Sequence, residues 1–165
     1  MKKQIFITNG TGGCGKDTFA CILNDLIPTK KISSIDSVKS IASLCEWDGK
    51  KTQKDRKFLS DLKLLLAGYN DFPFSVLRNE VENFNSDFKY EILLIDIREP
   101  KEIERAVKEF KAKTILIKNN RVAPITSNMA DANVFNYKYD FIIENNGTMD
   151  ELRDTVKKFA KENIL

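Results

Sequence analysis

The residues best placed to do chemistry stand together near the N-terminus, in "GTGGCGKDTF" (10–19). Gly10, four residues, Gly15 and Lys16 have the G-x-x-x-x-G-K spacing of a phosphate-binding loop. Gly10, Gly12, Gly13 and Gly15 let the backbone take positive φ and come close to an anion. Backbone N–H groups from Gly12 through Cys14 to Thr18 can then converge on phosphate oxygens at a helix N-terminus. Lys16 adds a positive charge for the β- and γ-phosphates of a nucleotide. One position departs from the pattern. A Ser or Thr ordinarily follows the Lys and gives its hydroxyl to Mg²⁺; here Asp17 follows, and a hydroxyl arrives only at Thr18. A carboxylate is also a hard oxygen ligand, so Asp17 is a candidate for the metal. Its alternative role is a negative charge favoured at a helix N-terminus. The alternative for the whole loop is a Gly-rich turn carrying an exposed Lys.

A second group supports the first. "EILLID" is an apolar strand ending in Asp96, the form of a Walker B element whose acid holds Mg²⁺ or its water shell. Arg98 shares Asp96's side if the chain stays extended. An acid and a cation at the mouth of a phosphate site suit phosphoryl transfer; a structural Asp–Arg pair is the alternative.

Composition limits the mechanism. The chain has 165 residues, enough for one domain with a real core. Its 27 Lys and Arg interleave with 24 Asp and Glu, for a net charge of +3, which argues against nucleic acid as the partner. There is no His, so every Ser–His or Cys–His mechanism and every His metal site is excluded. Cys14, Cys21 and Cys45 form no C-x-x-C pair, which argues against a disulfide framework or a zinc site. No apolar run approaches the ~20 residues that span a bilayer. "MKKQIFITNG" lacks the long apolar stretch of a signal peptide, so the expectation is a cytoplasmic protein with no membrane partner.

The elements that must position these residues alternate along the chain. Strands are expected at 4–8, 31–35, 91–97, 113–118 and 139–144. Between them, "KDTFACILNDLI" reads as a helix with Phe19, Ile22, Leu23 and Leu26 on one face and Pro28 as its stop. Asp36 or Ser37 can N-cap a helix carrying Val38, Ile41, Ala42 and Cys45. Thr52 and Asp55 open another, with a stripe of Phe58, Leu59, Leu62, Leu65 and Leu66. Phe74, Leu77, Val81 and Phe84 mark a further helix, and Pro100 begins one with Ile103, Ala106, Val107 and Phe110. Thr148 and Glu151 form a capping box before Leu152, Val156 and Phe159. Nearly continuous apolar strands predict a parallel sheet covered on both faces. The fold class is therefore α/β, with ligands outside the carboxyl ends of the strands.

Three segments, in chain order, carry a family resemblance. The "GKDT" loop resembles that of phage deoxynucleoside monophosphate kinases and, in "GKD", that of animal-type phosphomevalonate kinase. "DIREPKEIE" is similar to the D-x-R-x-x-x-E segment of those kinases, and "YDFIIENNGTMDEL" resembles their D-Y-x-I-x-N-N-G-T-x-x-E-L strand–loop–helix. The resemblance implies a P-loop fold of the nucleoside-monophosphate-kinase type, a single domain over 1–165 with a five-stranded parallel sheet. It implies ATP and Mg²⁺ as cofactors, with Lys16, Arg98 and Arg121 as catalytic cations and Asp17 and Asp96 toward the metal. The donor base would lie against Asn145, Asn146 and Gly147. A helical region at about 37–85 would receive the acceptor, with Asp36 at its entrance and Arg56, Ser60, Lys63 and Arg78 toward its phosphate; Asp96 also faces that side, and Trp47 is either near the acceptor or a packing anchor. A short lid would span about 119–138.

The chain departs from the family at that lid. Arg121 is its one arginine, flanked by Lys118 and Lys138, and the H-x-S-E element is missing where "TSNMAD" stands. The expectation is a kinase with a small-molecule nucleotide donor and a phosphate-bearing acceptor, a (deoxy)nucleoside monophosphate. Two alternatives stay open: a nucleotide-binding module without efficient transfer, and a kinase of a non-nucleotide phosphate ester of the phosphomevalonate or dephospho-coenzyme A type.

Overall fold

The computed structural model describes residues 3–123 and 133–165. Its strands are β1 (Gln4–Asn9), β2 (Thr29–Ser33), β3 (Ile92–Asp96), β4 (Lys113–Lys118) and β5 (Phe141–Glu144). Its helices are α1 (Lys16–Leu26), α2 (Asp36–Leu44), α3 (Gln53–Asn70), α4 (Phe72–Ser86), α5 (Pro100–Phe110) and α6 (Met149–Asn163). The chain divides into two compact units, one of Met1–Ile32 with Asp87–Leu165, the other of Ser33–Ser86.

The first unit is built on a five-stranded parallel sheet in the order β2-β3-β1-β4-β5. β1 lies in the middle, pairing Thr8 with Asp96 on β3 and with Ile115 on β4. That register brings the end of β1, and the loop after it, beside the acid that ends β3. Phe6, Ile7, Leu93, Leu94 and Ile95 are fully buried, as central strands covered on both faces must be. One face packs against α1 and α6, where Phe6, Phe19, Phe141 and Phe159 meet edge to face or tilted, with centroids 5.2–6.4 Å apart. Such pairs contribute roughly 0.5–1.5 kcal/mol each beyond their area. They fix α1, and therefore the loop that opens it, against the sheet.

Several boundaries differ from the pattern-based expectation. β2 begins at Thr29, two residues earlier than expected, and ends at Ser33, because Ser34 and Ile35 form the turn into α2. β5 starts at Phe141, and Ile142 is 59% exposed, so this edge strand is covered on one face only. On α1, Leu26 is exposed while Ala20 takes an inward place; Ile27 leaves the helix in extended conformation just before Pro28. The residue before a proline is pushed from the α region, which accounts for the stop.

In the second unit α2 packs on α3 and α4, and α3 on α4. Neither Asp36 nor Ser37 is the N-cap of α2; Ile35 occupies that position without a side-chain bond, and Asp36 is the first helical residue. Its carboxylate instead accepts from the Ser33 N–H at 2.8 Å. Thr52 and Asp55 do form the capping box of α3. The stripe expected along that helix is not a core face: no α3 residue is fully buried, and Leu65 is 69% exposed. Cys45 is exposed too. The inward residues of α4 are those expected, Phe74, Leu77, Val81 and Phe84.

Candidate active site

The loop from Gly10 to Gly15 joins the buried centre of the sheet to the first turn of α1. Positive φ falls on Gly10, Gly13 and Gly15, and not on Gly12. Gly10 has no room for a side chain: a Cβ there would press on the Ile117 carbonyl of β4 and lie 2.5 Å from Cys14 Sγ. Gly15 is the N-cap of α1 in the left-handed region, at φ 102°. The turn therefore presents backbone N–H groups at a helix N-terminus, the arrangement that receives phosphate.

Lys16 folds over its own loop. Its ammonium donates to the Gly10 carbonyl at 2.7 Å and the Thr11 carbonyl at 3.2 Å, and lies 3.8 Å from Cys14 Sγ. Burial pushes the Cys14 thiol up, and the neighbouring Lys16 only partly offsets this. The thiol stays protonated near neutral pH and serves as packing under the loop.

A second lysine completes the charge arrangement. Lys31, on β2, donates to Asp17 Oδ1 and lies 2.9 Å from Asp96 Oδ2. Burial lowers the Lys31 pKa, but its bonds to Asp17 and Asp96 outweigh that and leave it raised. Thr8 Oγ1 donates to the other oxygen of Asp96, turning Oδ2 toward Lys31. The structure thus joins Asp17 and Asp96 of the expected set through Lys31, while Lys16 bonds within the loop itself. Thr18 follows, half-buried, in the first turn of α1.

Of residues 145–147, Asn145 meets the loop, while Asn146 and Gly147 bond to the chain after β4. Asn145 Nδ2 donates to the Cys14 carbonyl at 2.9 Å, and the Asn145 N–H to the Lys118 carbonyl at 2.7 Å. Asn146 accepts from the Asn120 N–H, and Arg121 donates to the Gly147 carbonyl at 2.7 Å. Arg121 is thereby held against the β5–α6 turn. Of the expected lid, residues 124–132, including "TSNMAD", lie outside the described residues.

Arg98 follows the end of β3, and its carbonyl accepts from Asn9 Nδ2 at 3.2 Å. The same amide donates to Tyr139 Oη at 2.8 Å, and Tyr139 donates to the Val134 carbonyl at 2.7 Å. Burial pushes the Tyr139 phenol up to about 12, against the opposing bond from Asn9. Asn9 Oδ1 accepts from the Gly10 N–H, so one buried amide fixes both the loop's first residue and the backbone at Arg98.

In the second unit, Lys63 donates to Ser34 at 3.0 Å, two residues before Asp36. Asp36 accepts from Lys39 at 3.3 Å. Arg56 donates to the Lys51 carbonyl, and Arg78 pairs with Asp71 at 3.5 Å while lying over the Phe74 ring. Lys63 and Asp36 thus gather at one turn, while Arg56 and Arg78 have partners elsewhere. Trp47 is half-buried and donates to the Lys50 carbonyl within its own loop.

Sequence reasoning missed Lys31, Thr8, Asn9 and Tyr139. Thr8 and Asn9 carried a signal, since two polar residues end an otherwise apolar strand and both are buried. Lys31 carried none.

The donor set suits a hard divalent ion. Asp17 and Asp96 already share one cation, the Lys31 ammonium, and both offer oxygen ligands. Among the described residues no cluster of three or more His, Cys, Asp or Glu side chains could hold a metal by itself. Mg²⁺ needs no such cage, because one or two carboxylates with substrate phosphates and water complete its shell.

Sheet order, loop and acid define an α/β P-loop fold of the nucleoside-monophosphate-kinase type. Among solved structures the chain is similar to a dephospho-CoA kinase from Campylobacter jejuni, at 16% identity over 97% of each chain with a TM-score of 0.58. It is also similar to a shikimate kinase from Bacteroides thetaiotaomicron (12% identity, 98% of this chain and 99% of that one, TM-score 0.54). A thymidylate kinase from Candida albicans matches at 12% identity over 98% and 92%, with a TM-score of 0.51. At these identities the likeness is one of fold. No family model and no curated protein matches the sequence. Among the described residues no helix is long and apolar enough to cross a membrane.

Proposed function

We propose that the chain is an ATP- and Mg²⁺-dependent phosphotransferase whose acceptor already bears a phosphate, a (deoxy)nucleoside monophosphate by preference. The observation that carries this is the register that sets Thr8, two residues before the Gly10–Lys16 loop, opposite Asp96 on the neighbouring parallel strand, with Lys31 joining Asp96 to Asp17 after the loop. Loop amides and Lys16 bind the donor's β- and γ-phosphates; Lys16 must exchange the Gly10 and Thr11 carbonyls for phosphate oxygens. Asp17, Thr18 and Asp96 would hold Mg²⁺, which neutralises phosphate charge when bound. Asn145 to Gly147 border the donor base. An acceptor phosphate is already nucleophilic, so positioning and cations suffice, and the absence of His is no obstacle. Arg98 and Arg121 supply positive charge toward the phosphates, and Arg56, Lys63 and Arg78 toward the acceptor, with Asp36 at the entrance of that region. A phosphate-ester acceptor of another kind is compatible with the fold likeness to a dephospho-CoA kinase.

A second reading, a nucleotide-binding module with little transfer, is favoured by one observation. Arg121 is the single arginine between 119 and 138, and it is tied to Gly147. An arginine acting on the transferred group is worth roughly 10³–10⁵ in rate.

The test is coupled ADP release with Mg-ATP against ribo- and deoxynucleoside monophosphates, phosphomevalonate and dephospho-coenzyme A. Turnover on one acceptor is expected, together with loss of ATP binding in a folded Lys16→Ala variant. ATP binding without turnover on any acceptor selects the second reading. Wild-type ATP affinity in Lys16→Ala refutes both.

A further inference from the structure

The acid pair of this site is not left to repel itself. Asp17 stands on α1 and Asp96 at the end of β3, and the Lys31 ammonium bonds to both. The three side chains differ in setting: Asp17 is 94% exposed, while Lys31 is 26% and Asp96 17% exposed. The Lys31–Asp96 contact is therefore the less screened of the two. Thr8 holds Asp96 in the orientation that meets Lys31. Lys16 is engaged with the loop carbonyls, so the two lysines divide the work.

We propose that Lys31 is a tethered counter-cation for Asp17 and Asp96, which a divalent ion must displace, so that this lysine sets the chain's metal affinity. The proposal rests on the phosphotransferase reading in one respect, that these two carboxylates are the metal's ligands. Two carboxylates aimed at one point cost free energy when both are ionised, and a shared cation removes that cost. A divalent ion arriving alone must evict the ammonium and leave it without an anion. One arriving with a nucleotide brings phosphates that can re-pair it. Metal binding is thereby made to depend on nucleotide, a coupling between two ligands written into one side chain.

The experiment is Mn²⁺ binding by electron paramagnetic resonance on the full chain, with and without ADP. It compares wild type, Lys31→Met and Lys31→Arg, each with and without Asp96→Asn, with thermal melts to establish folding. In the absence of ADP, Lys31→Met should bind Mn²⁺ on the order of tenfold more tightly than wild type, and Lys31→Arg should match wild type. The gain should vanish with Asp96→Asn, and ADP should enhance Mn²⁺ binding less in Lys31→Met than in wild type. Should Lys31→Met not fold, Lys31→Gln takes its place under the same expectations. Equal or weaker binding by the neutral variant, with Mn²⁺ still sensitive to Asp96→Asn, overturns the role of Lys31 and leaves the metal assignment standing. No binding with or without ADP, or binding indifferent to Asp96→Asn, overturns both.

Discussion

Gly10→Ala should unfold the protein's site from beneath. Gly10 has φ 151°, a region that L side chains rarely adopt, and holding Ala there costs about 1–3 kcal/mol. The added methyl also meets backbone, the Ile117 carbonyl of β4, and the buried Cys14 sulfur at 2.5 Å. Neither can swing aside as the end of a long side chain would. Overpacking of this kind costs about 1–3 kcal/mol more, so the total is about 2–6 kcal/mol. For a chain of this size that lowers Tm by roughly 5–20 °C. Gly15→Ala provides the internal comparison. Its Cβ would meet the Asn145 side-chain amide, which can turn away at the loss of its bond to the Cys14 carbonyl. The expected cost is smaller, about 2–3 kcal/mol from the strained φ and one lost hydrogen bond. Urea and thermal denaturation followed by circular dichroism measure both. A Gly10→Ala loss under about 1 kcal/mol, or one smaller than that of Gly15→Ala, refutes the packing account of the loop.

Tyr139→Phe should cost about 1–3 kcal/mol at neutral pH, because Asn9 and the Val134 carbonyl each lose a partner. The folded state holds the Tyr139 phenol at about 12 against 10 for a free one, so wild-type stability falls as pH rises from about 10 toward about 12. Denaturation across that range should show a shallower alkaline fall in Tyr139→Phe. Thr148→Ala removes one half of the capping box of α6 and should lower stability by about 0.5–2 kcal/mol in urea melts. Asp17→Ser restores the ordinary hydroxyl after the loop lysine and should shift the Mg²⁺ dependence of nucleotide binding, read by calorimetric titration; an unchanged dependence leaves Asp17 as a helix-terminus charge.

The parts of the site that were legible in the sequence are the local ones. Loop spacing, the strand before it and the helix after it lie within 4–26, and each constrains the next. Asp96 was legible because an apolar strand ends on it. The capping boxes at Thr52 and Thr148 were legible because both partners lie three residues apart. Lys31 was not, since its meaning depends on β2 lying beside β3, and nothing near Lys31 states that pairing. The Asn9–Tyr139 bond, between residues 130 positions apart in the chain, was hidden for the same reason. The apolar stripe of α3 shows the converse: helical spacing established the helix, but spacing alone does not establish burial.

The central place of β1 also bears on how the protein is made. Its neighbours are β3 and β4, which begin at Ile92 and Lys113, and the Gly10 backbone packs on the Ile117 carbonyl. A chain growing from its N-terminus carries the complete phosphate-loop sequence long before any strand exists to hold it. Until residue 96 has emerged, β1 is an apolar segment with two unpaired edges, and until residue 118 it keeps one, the kind of intermediate that invites association with other chains. On the proposed function, nucleotide capture by a nascent chain is a late event, and the length at which it first appears marks the closing of the sheet.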